Sequence, residues 1–405
     1  MLSSVIQQQF QVSFSYPVYF TEELFRPDNS VLRTVLTQAD ALGPRRAVVV
    51  LDSGVVAHHP HIQTNIAQYF TAHAEALQLN GEPLVVAGGE ACKNSPALVQ
   101  QLLEVIHQRH VDRHSYLLAV GGGAVLDLVG YVAAVAHRGV RLVRIPTTVL
   151  SQNDSGIGVK NSVNAFGKKN FLGTFAPPYA VLNDSRFLLT LDERDWRAGI
   201  AEAIKVGLIK DAAFFTYLEQ HTPALVARHL PTMQHVIRRC AELHLQHIAG
   251  PDPFEQGSSR PLDFGHWAAH KLEQLTDYQL RHGEAVAIGI ALDCVYSHLA
   301  GLIEVPVLER VLRVLHELGF AVFCPKMAAH AEQPAHPDSL LLGLQEFREH
   351  LGGQLTVMLL AEIGRGVEVH ALDTARLLEA ISYLKAWQNT SRSPVEPNLH
   401  PLSLA

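Results

Sequence analysis

His266-Trp267-Ala268-Ala269-His270 sets two imidazoles four residues apart, and His282-Gly283-Glu284 follows a short way downstream. Residues four apart share one face of a helix, so His266 and His270 are the first pair to consider as ligands of a metal ion. Glu202, in a helical Ala-Glu-Ala-Ile-Lys stretch, adds a carboxylate. Histidines together with a carboxylate suit zinc, which in catalytic sites keeps one coordination position open. The His-Glu-x-x-His pattern that would make a four-residue pair specific is missing. With 23 histidines in the chain, any single one is more often a surface or satisfied core residue than a ligand.

Other residues are suited to anions. Gly121-Gly122-Gly123-Ala124-Val125-Leu126-Asp127 lies between an apolar run and a helical pattern. At such a turn the free N–H groups and the helix dipole bind phosphate. It departs from the dinucleotide fingerprint, because Leu126 stands at the third glycine position. Asp154-Ser155-Gly156-Ile157-Gly158-Val159-Lys160 and Gly167-Lys168-Lys169-Asn170 bring three lysines and an asparagine into a glycine-rich stretch. Lysine acts as a point charge for phosphate and asparagine as a directional partner for hydroxyls. A solvated loop would have the same composition.

These residues need a scaffold. The alternating segment Phe10–Tyr19 reads as an edge strand. Ala47–Leu51, Pro83–Ala87, Tyr116–Val120 and Arg141–Ile145 are short apolar runs, each stopping at Gly, Thr or Asp, with helical patterns at Ala97–His110 and Ala124–His137. That alternation predicts βαβ units around a parallel sheet, with ligands beyond the carboxyl ends of the strands. After Thr190 helical periodicity dominates, at Arg197–Lys210, Leu230–Ile248, Phe264–Leu275 and Glu284–Ala300, with Leu355–Leu360 a strand or short hairpin. The expected fold is α/β: a Rossmann-like parallel-sheet domain over residues 1–190, a mostly helical domain over 191–387, and a Pro/Ser/Asn-rich tail over 388–405.

Composition narrows the class. With 405 residues, 48% hydrophobic and 18% charged, the chain can fill two cores and is not disordered. A net charge of −7 argues against a nucleic-acid partner but leaves room for a local basic pocket. Four scattered cysteines, no signal-like start and no apolar run of about 18 residues predict a reduced, cytoplasmic chain without disulfides or a membrane span.

The stretches PTTVLSQNDSGIGVKNSVNAFGKKNFLGTF, AGIAEAIKVGLIKD, DFGHWAAHKLE and RHGEAVAIG occur in that order. Together they resemble the sugar phosphate cyclases of the dehydroquinate synthase superfamily, over roughly Val48 to Gly364. The resemblance implies an active site in the cleft between a Rossmann-like and a helical domain. It implies Glu202, His266 and His282 as ligands of zinc, with cobalt as an alternative, and it turns His270 into a neighbouring proton-transfer residue. It implies an NAD site at Asp52, Glu90, Lys93, Gly122, Gly123, Asp127, Thr147 and Thr148. Substrate and phosphate contacts fall on Arg138, Asp154, Lys160, Lys169, Asn170 and Lys205, with Arg260 added; Lys160, Lys205, His270, Asp154 and Asp263 are the catalytic candidates. The implied reaction oxidises a ring hydroxyl of a seven-carbon sugar phosphate, eliminates phosphate, reduces the ketone again and closes a carbocycle by an intramolecular aldol step. A homodimer is the usual assembly of the family.

One run departs from dehydroquinate synthases, which carry Arg-x-x-Leu-Asn-x-Gly-His. Here it reads Ser259-Arg260-Pro261-Leu262-Asp263-Phe264-Gly265-His266. Asp263 replaces the asparagine and the arginine is displaced by one place. A carboxylate there would repel a carboxylated substrate but could accept a hydrogen bond from a neutral hydroxymethyl group. The expectation is therefore the branch that cyclises sedoheptulose 7-phosphate to valiolone-type cyclitols, with the subgroup of ebo-type gene clusters as a further placement. His270 pulls the other way, towards 3-dehydroquinate synthase. An NAD- and metal-dependent alcohol or glycerol dehydrogenase is a rival from a different reaction class, and a catalytically silent scaffold is a third.

Overall fold

The computed structural model describes residues 5–38, 43–257 and 260–391. Eleven strands are described: β1 Val18–Thr21, β2 Arg45–Asp52, β3 Leu77–Leu79, β4 Leu84–Val86, β5 Tyr116–Gly121, β6 Arg141–Pro146, β7 Lys160–Ala165, β8 Lys168–Phe175, β9 Ala180–Asp184, β10 Val357–Glu362 and β11 Arg365–Val369. Seven of them form one parallel sheet in the order β1-β9-β6-β5-β2-β3, with β4 also paired to β2. Along β2, Ala47, Val49 and Leu51 enter one apolar cluster while Val48 and Val50 enter another on the opposite face. A strand buried on both faces has to be apolar at every position, which is why these runs read continuously rather than alternating.

Three sequence expectations are corrected. The expected strand Phe10–Tyr19 starts only at Val18, where it pairs in parallel with β9. Pro17 lacks an N–H for a ladder, and its carbonyl accepts the bond from Val181 N that opens the pairing (3.0 Å). The lysine-bearing stretch is an antiparallel hairpin, β7–β8, not a loop. The helix Thr374–Thr390 runs through Gln388, whose Oε1 accepts from the backbone N–H of Val322 and Phe323. The start of the expected tail is thus structured, and residues 392–405 lie outside the described residues.

The second half packs helices around Glu193–Lys210 and His282–Leu299, both buried over most of their length in one large apolar cluster. A helix apolar all round belongs at the centre of a bundle. β10 and β11 form a separate hairpin. Between sheet and helices, the fully buried Arg144 of β6 donates to the carbonyls of Gly156, Gly158 and Lys160 and to Asn161 Oδ1, at 2.6–3.1 Å. The four cysteines are buried and free. Among the described residues no helix is long and apolar enough to cross a membrane.

Candidate active site

Within the apolar helix Glu193–Lys210, Glu202 and Lys205 are charged, one turn apart and buried. The helix is started by Asp192, whose side chain accepts from Asp195 N. His266 and His282 each open a helix, His266–Leu275 and His282–Leu299. Gly283 lets the second of these lie directly on the first turns of Glu193–Lys210: a Cβ there would stand 2.2 Å from the Ala198 carbonyl oxygen. The result is a cluster. Glu202 Oε1 lies 3.6 Å from His266 Nε2 and 3.4 Å from His282 Nε2. A tetrahedral ion about 2.1 Å from each ligand needs ligand atoms about 3.4 Å apart. Neither buried oxygen of Glu202 has an aligned hydrogen-bond partner, although the Lys205 ammonium lies against Oε2. Orphaned buried carboxylate oxygens facing two imidazole nitrogens are the donor set of a metal ion.

The far sides of both rings are held. His266 Nδ1 sits 3.2 Å from the Phe264 carbonyl and His282 Nδ1 3.2 Å from Glu273 Oε2. These contacts place the ring proton on Nδ1 and aim each Nε2 at the cluster. Glu273 in turn takes the Lys169 ammonium at 2.8 Å. Burial would raise the Glu202 carboxyl, but Lys205 and the two histidines outweigh it and hold it well below its ordinary value. Burial and Lys205 push His266 down, leaving a neutral imidazole. Burial opposes charge on His282 as well, yet Glu273 and Glu202 lift it to about 9, so an arriving cation displaces a proton there. His270 is not a member of this triplet; its ring lies edge-on to His266 and stacked on His282, with centroids 5.4 and 6.0 Å away. In place of the four-residue pairing suggested by spacing alone, the geometry brings together a candidate triplet from three helices.

A cavity of about 400 Å³ opens at the carboxyl ends of β2, β5 and β6. Asp52, Gly122, Thr147 and Thr148, all expected at the NAD site, line it. Gly122 is the N-cap of the helix Gly123–Val135, where backbone N–H groups face an anion. Phe187 and Thr190 at the end of the α/β half, and Leu191, Asp192 and Asp195 at the start of the helical half, close the cavity, and His59 bonds Thr190 across it (2.8 Å). These residues were missed in the sequence, where Phe-Leu-Leu-Thr passes for core. Glu90, Lys93 and Asp127 stand outside this wall. Lys93 is buried and donates to Asp127 (2.7 Å), Ser162 (3.1 Å) and Asn170. That cluster joins the glycine turn to the β7–β8 hairpin.

A π-helical turn, Ser151–Ser155, follows Thr148 and ends beside the metal-ligand cluster. Its Asp154 places Oδ1 3.1 Å from Nε2 of buried His244, a residue the sequence reading passed over. Lys205 feels Glu202, Asp154 and Asp263, which together overcome burial and raise its ammonium. Asp263 is pushed up by burial, partly offset by Lys160 and Lys205. Glu255 takes the Lys160 ammonium at 2.6 Å and Arg260 Nε at 3.2 Å. Arg260 also donates to the Gly257 and Glu255 carbonyls, so its guanidinium is engaged within its own loop. Arg138, expected at the substrate, stands apart from this cluster in the chain. It is exposed, just beyond the C-terminal end of Gly123–Val135 and before the start of β6. A helix of that length carries it about 20 Å away from the glycine turn.

The descriptions of two family models match the chain: 3-dehydroquinate synthase N-terminal over residues 83–198 and 3-dehydroquinate synthase C-terminal over residues 199–336. The chain belongs to the 3-dehydroquinate synthase family. A 3-dehydroquinate synthase of Coxiella burnetii is 32% identical over 363 residues, 89% of this chain and 94% of that protein. Among solved structures, the family fold recurs in ValA, a 2-epi-5-epi-valiolone synthase from Streptomyces hygroscopicus subsp. jinggangensis with NAD+ and Zn2+ bound. It is 32% identical, with a TM-score of 0.82, covering 94% of this chain and all (100%) of that one. A 2-deoxy-scyllo-inosose synthase complexed with carbaglucose-6-phosphate, NAD+ and Co2+ shares the fold at 22% identity and a TM-score of 0.73, covering 90% of this chain and 95% of that one.

Proposed function

We propose that this family member is an NAD- and zinc-dependent sugar phosphate cyclase acting on a seven-carbon substrate without a carboxylate, sedoheptulose 7-phosphate, to give a valiolone-type cyclitol ketone. Asp263 carries the choice of substrate. Identity does not decide it, since ValA and the Coxiella 3-dehydroquinate synthase are equally similar to this chain. An acid at 263 in place of an amide, with Arg260 tied to Glu255, offers a carboxylated substrate neither an N–H donor at that position nor an uncommitted guanidinium in its loop.

The donor set of Glu202, His266 and His282 fits zinc, and the cavity from Asp52 to Thr190 fits part of a dinucleotide. When bound, the nicotinamide would take up and return a hydride while the metal polarises the oxygen of the reacting carbon. The chain supplies the rest. Asp52 at the end of β2 is placed to accept from a ribose hydroxyl, and the Gly122 turn to donate to the pyrophosphate. Lys205, Lys169 and Lys160, now paired with Glu202, Glu273 and Glu255, would turn positive charge towards the phosphate, which favours its departure once the neighbouring C–H has become acidic. His270, against both ligand rings, offers an imidazole that can move that proton.

Phosphate release from purified protein with NAD and zinc tests the reading. Release is expected from sedoheptulose 7-phosphate, without accumulation of NADH. Release only from the carboxylated substrate of 3-dehydroquinate synthase would replace the reading with that enzyme, and net NADH formation from an alcohol would replace it with a dehydrogenase. Glu202→Ala is expected to stay folded and lose phosphate release.

A further inference from the structure

We propose that Asp293 is a positioning residue for the metal centre, fixing His266 from the same helix that carries His282. This rests on the reading of Glu202, His266 and His282 as ligands. Asp293 is fully buried. Its Oδ2 accepts from Gly265 N (2.8 Å) and its Oδ1 from Trp267 Nε1 (2.9 Å). The two donors are the residues on either side of His266. Both are uncharged, and burial lifts the Asp293 carboxyl to about 7. An unpaired carboxylate in an apolar bundle is a cost that an aliphatic side chain would avoid. The compensation lies in what the two bonds hold.

The segment they hold is packed into the helical core through Phe264 and Trp267, and the Gly265 turn that leads into His266 lies against the helix below. Gly265 adopts φ +79°, and its backbone lies flat on the helix below: a Cβ on Gly289 would stand 2.0 Å from the Gly265 carbonyl oxygen. Two glycine backbones in contact set a distance but no rotation. Asp293, one turn beyond Gly289, adds a directional constraint by accepting from the residues before and after His266. His282 and Asp293 are eleven residues apart, about three helical turns, and so share a face. One rigid element thereby carries one ligand and sets the orientation of another, before any ion arrives.

Asp293→Asn in the full chain tests this. If the amide oxygen keeps Gly265 N, its NH2 group opposes Trp267 Nε1, donor against donor. Zinc affinity, measured by chelator competition on folded protein, is expected to fall about 10–100-fold, and the visible bands of the Co2+ form to shift. Adding Trp267→Phe removes the opposing donor and should restore part of that affinity. A lowered melting temperature with unchanged zinc affinity and Co2+ spectrum would make Asp293 merely structural and overturn the proposal. If Asp293→Asn does not fold, Trp267→Phe alone cuts one of the two bonds and should give a smaller loss of the same kind; no loss overturns the proposal. A wild-type chain that takes up no zinc would overturn the ligand reading itself, a result distinct from normal zinc binding in the Asp293→Asn variant.

Discussion

Lys169, Glu273 and His282 form a line of charge from the β7–β8 hairpin to the candidate metal ligands. Glu273 is the centre of that line. Burial would raise its carboxyl, but His282 and Lys169 hold it far below the ordinary value of 4.5. A carboxylate depressed in the folded state contributes stability above 4.5, and that contribution drains away as pH falls further. Glu273→Gln is therefore expected to cost about 3 kcal/mol at pH 7, the usual scale for breaking a buried pair. The gap between variant and wild type should narrow below pH 4.5; urea unfolding at pH 7 and pH 3.5 measures both. A gap that stays constant with pH would mean that the pair does not set the stability. Glu273 was within reach of the sequence: His266, His270 and Glu273 follow the four- and three-residue steps of one helical face. His244 gave no such signal, because its partner Asp154 comes from a distant turn. Glu202 is legible as a carboxylate inside an apolar helix, but pairing it with His266 and His282 required the family resemblance.

At the level of elements, the site exists because helices approach closely at a few small residues. Gly283 is one such place, next to His282 and against Ala198, four positions before Glu202. Gly283→Ala is expected to destabilise the chain by about 1–3 kcal/mol, the range for overpacking, and to weaken zinc binding by moving one ligand off the other two. Thermal unfolding and chelator competition report the two effects; loss of stability with full zinc affinity would uncouple the contact from the site. The parallel strands β2, β5 and β6 were legible because each carries a mostly apolar run that stops at a turn residue, Arg144 in β6 being the charged exception. β7 and β8 were not. β8 is largely exposed and rich in lysine and glycine, so its composition matched a loop while its pairing depended on β7. The arm before β1 misled in the opposite way, since Phe10, Val12 and Phe14 alternate like a strand yet lie exposed with no ladder among the described residues.

For the molecule as a whole, the candidate cofactor cavity is lined from both halves, by Asp52 and Thr148 of the α/β part and by Leu191, Asp192 and Asp195 where the helices begin. A ligand seated there ties the halves together and stabilises only the assembled fold. NAD at about a hundred times its dissociation constant is expected to add about 2.7 kcal/mol, read as a rise in melting temperature. NADP should add far less, because the Asp52 carboxylate opposes a 2′-phosphate; equal shifts would remove Asp52 from the ribose. The division into an open parallel sheet and a helical bundle was readable from the change of periodicity near Thr190, whereas the contacts across the cleft were not, being made by residues far apart in the chain. Arg144 shows what such long-range contacts demand. Its guanidinium is spent on the carbonyls of Gly156, Gly158 and Lys160 and on the side-chain oxygen of Asn161. Adding or deleting one residue in that stretch would misalign the carbonyls and strand a positive charge in the interior, so this short passage admits no change of length. Libraries of insertions and deletions should find it silent of survivors, while the β7–β8 turn at Phe166 and Gly167 tolerates them.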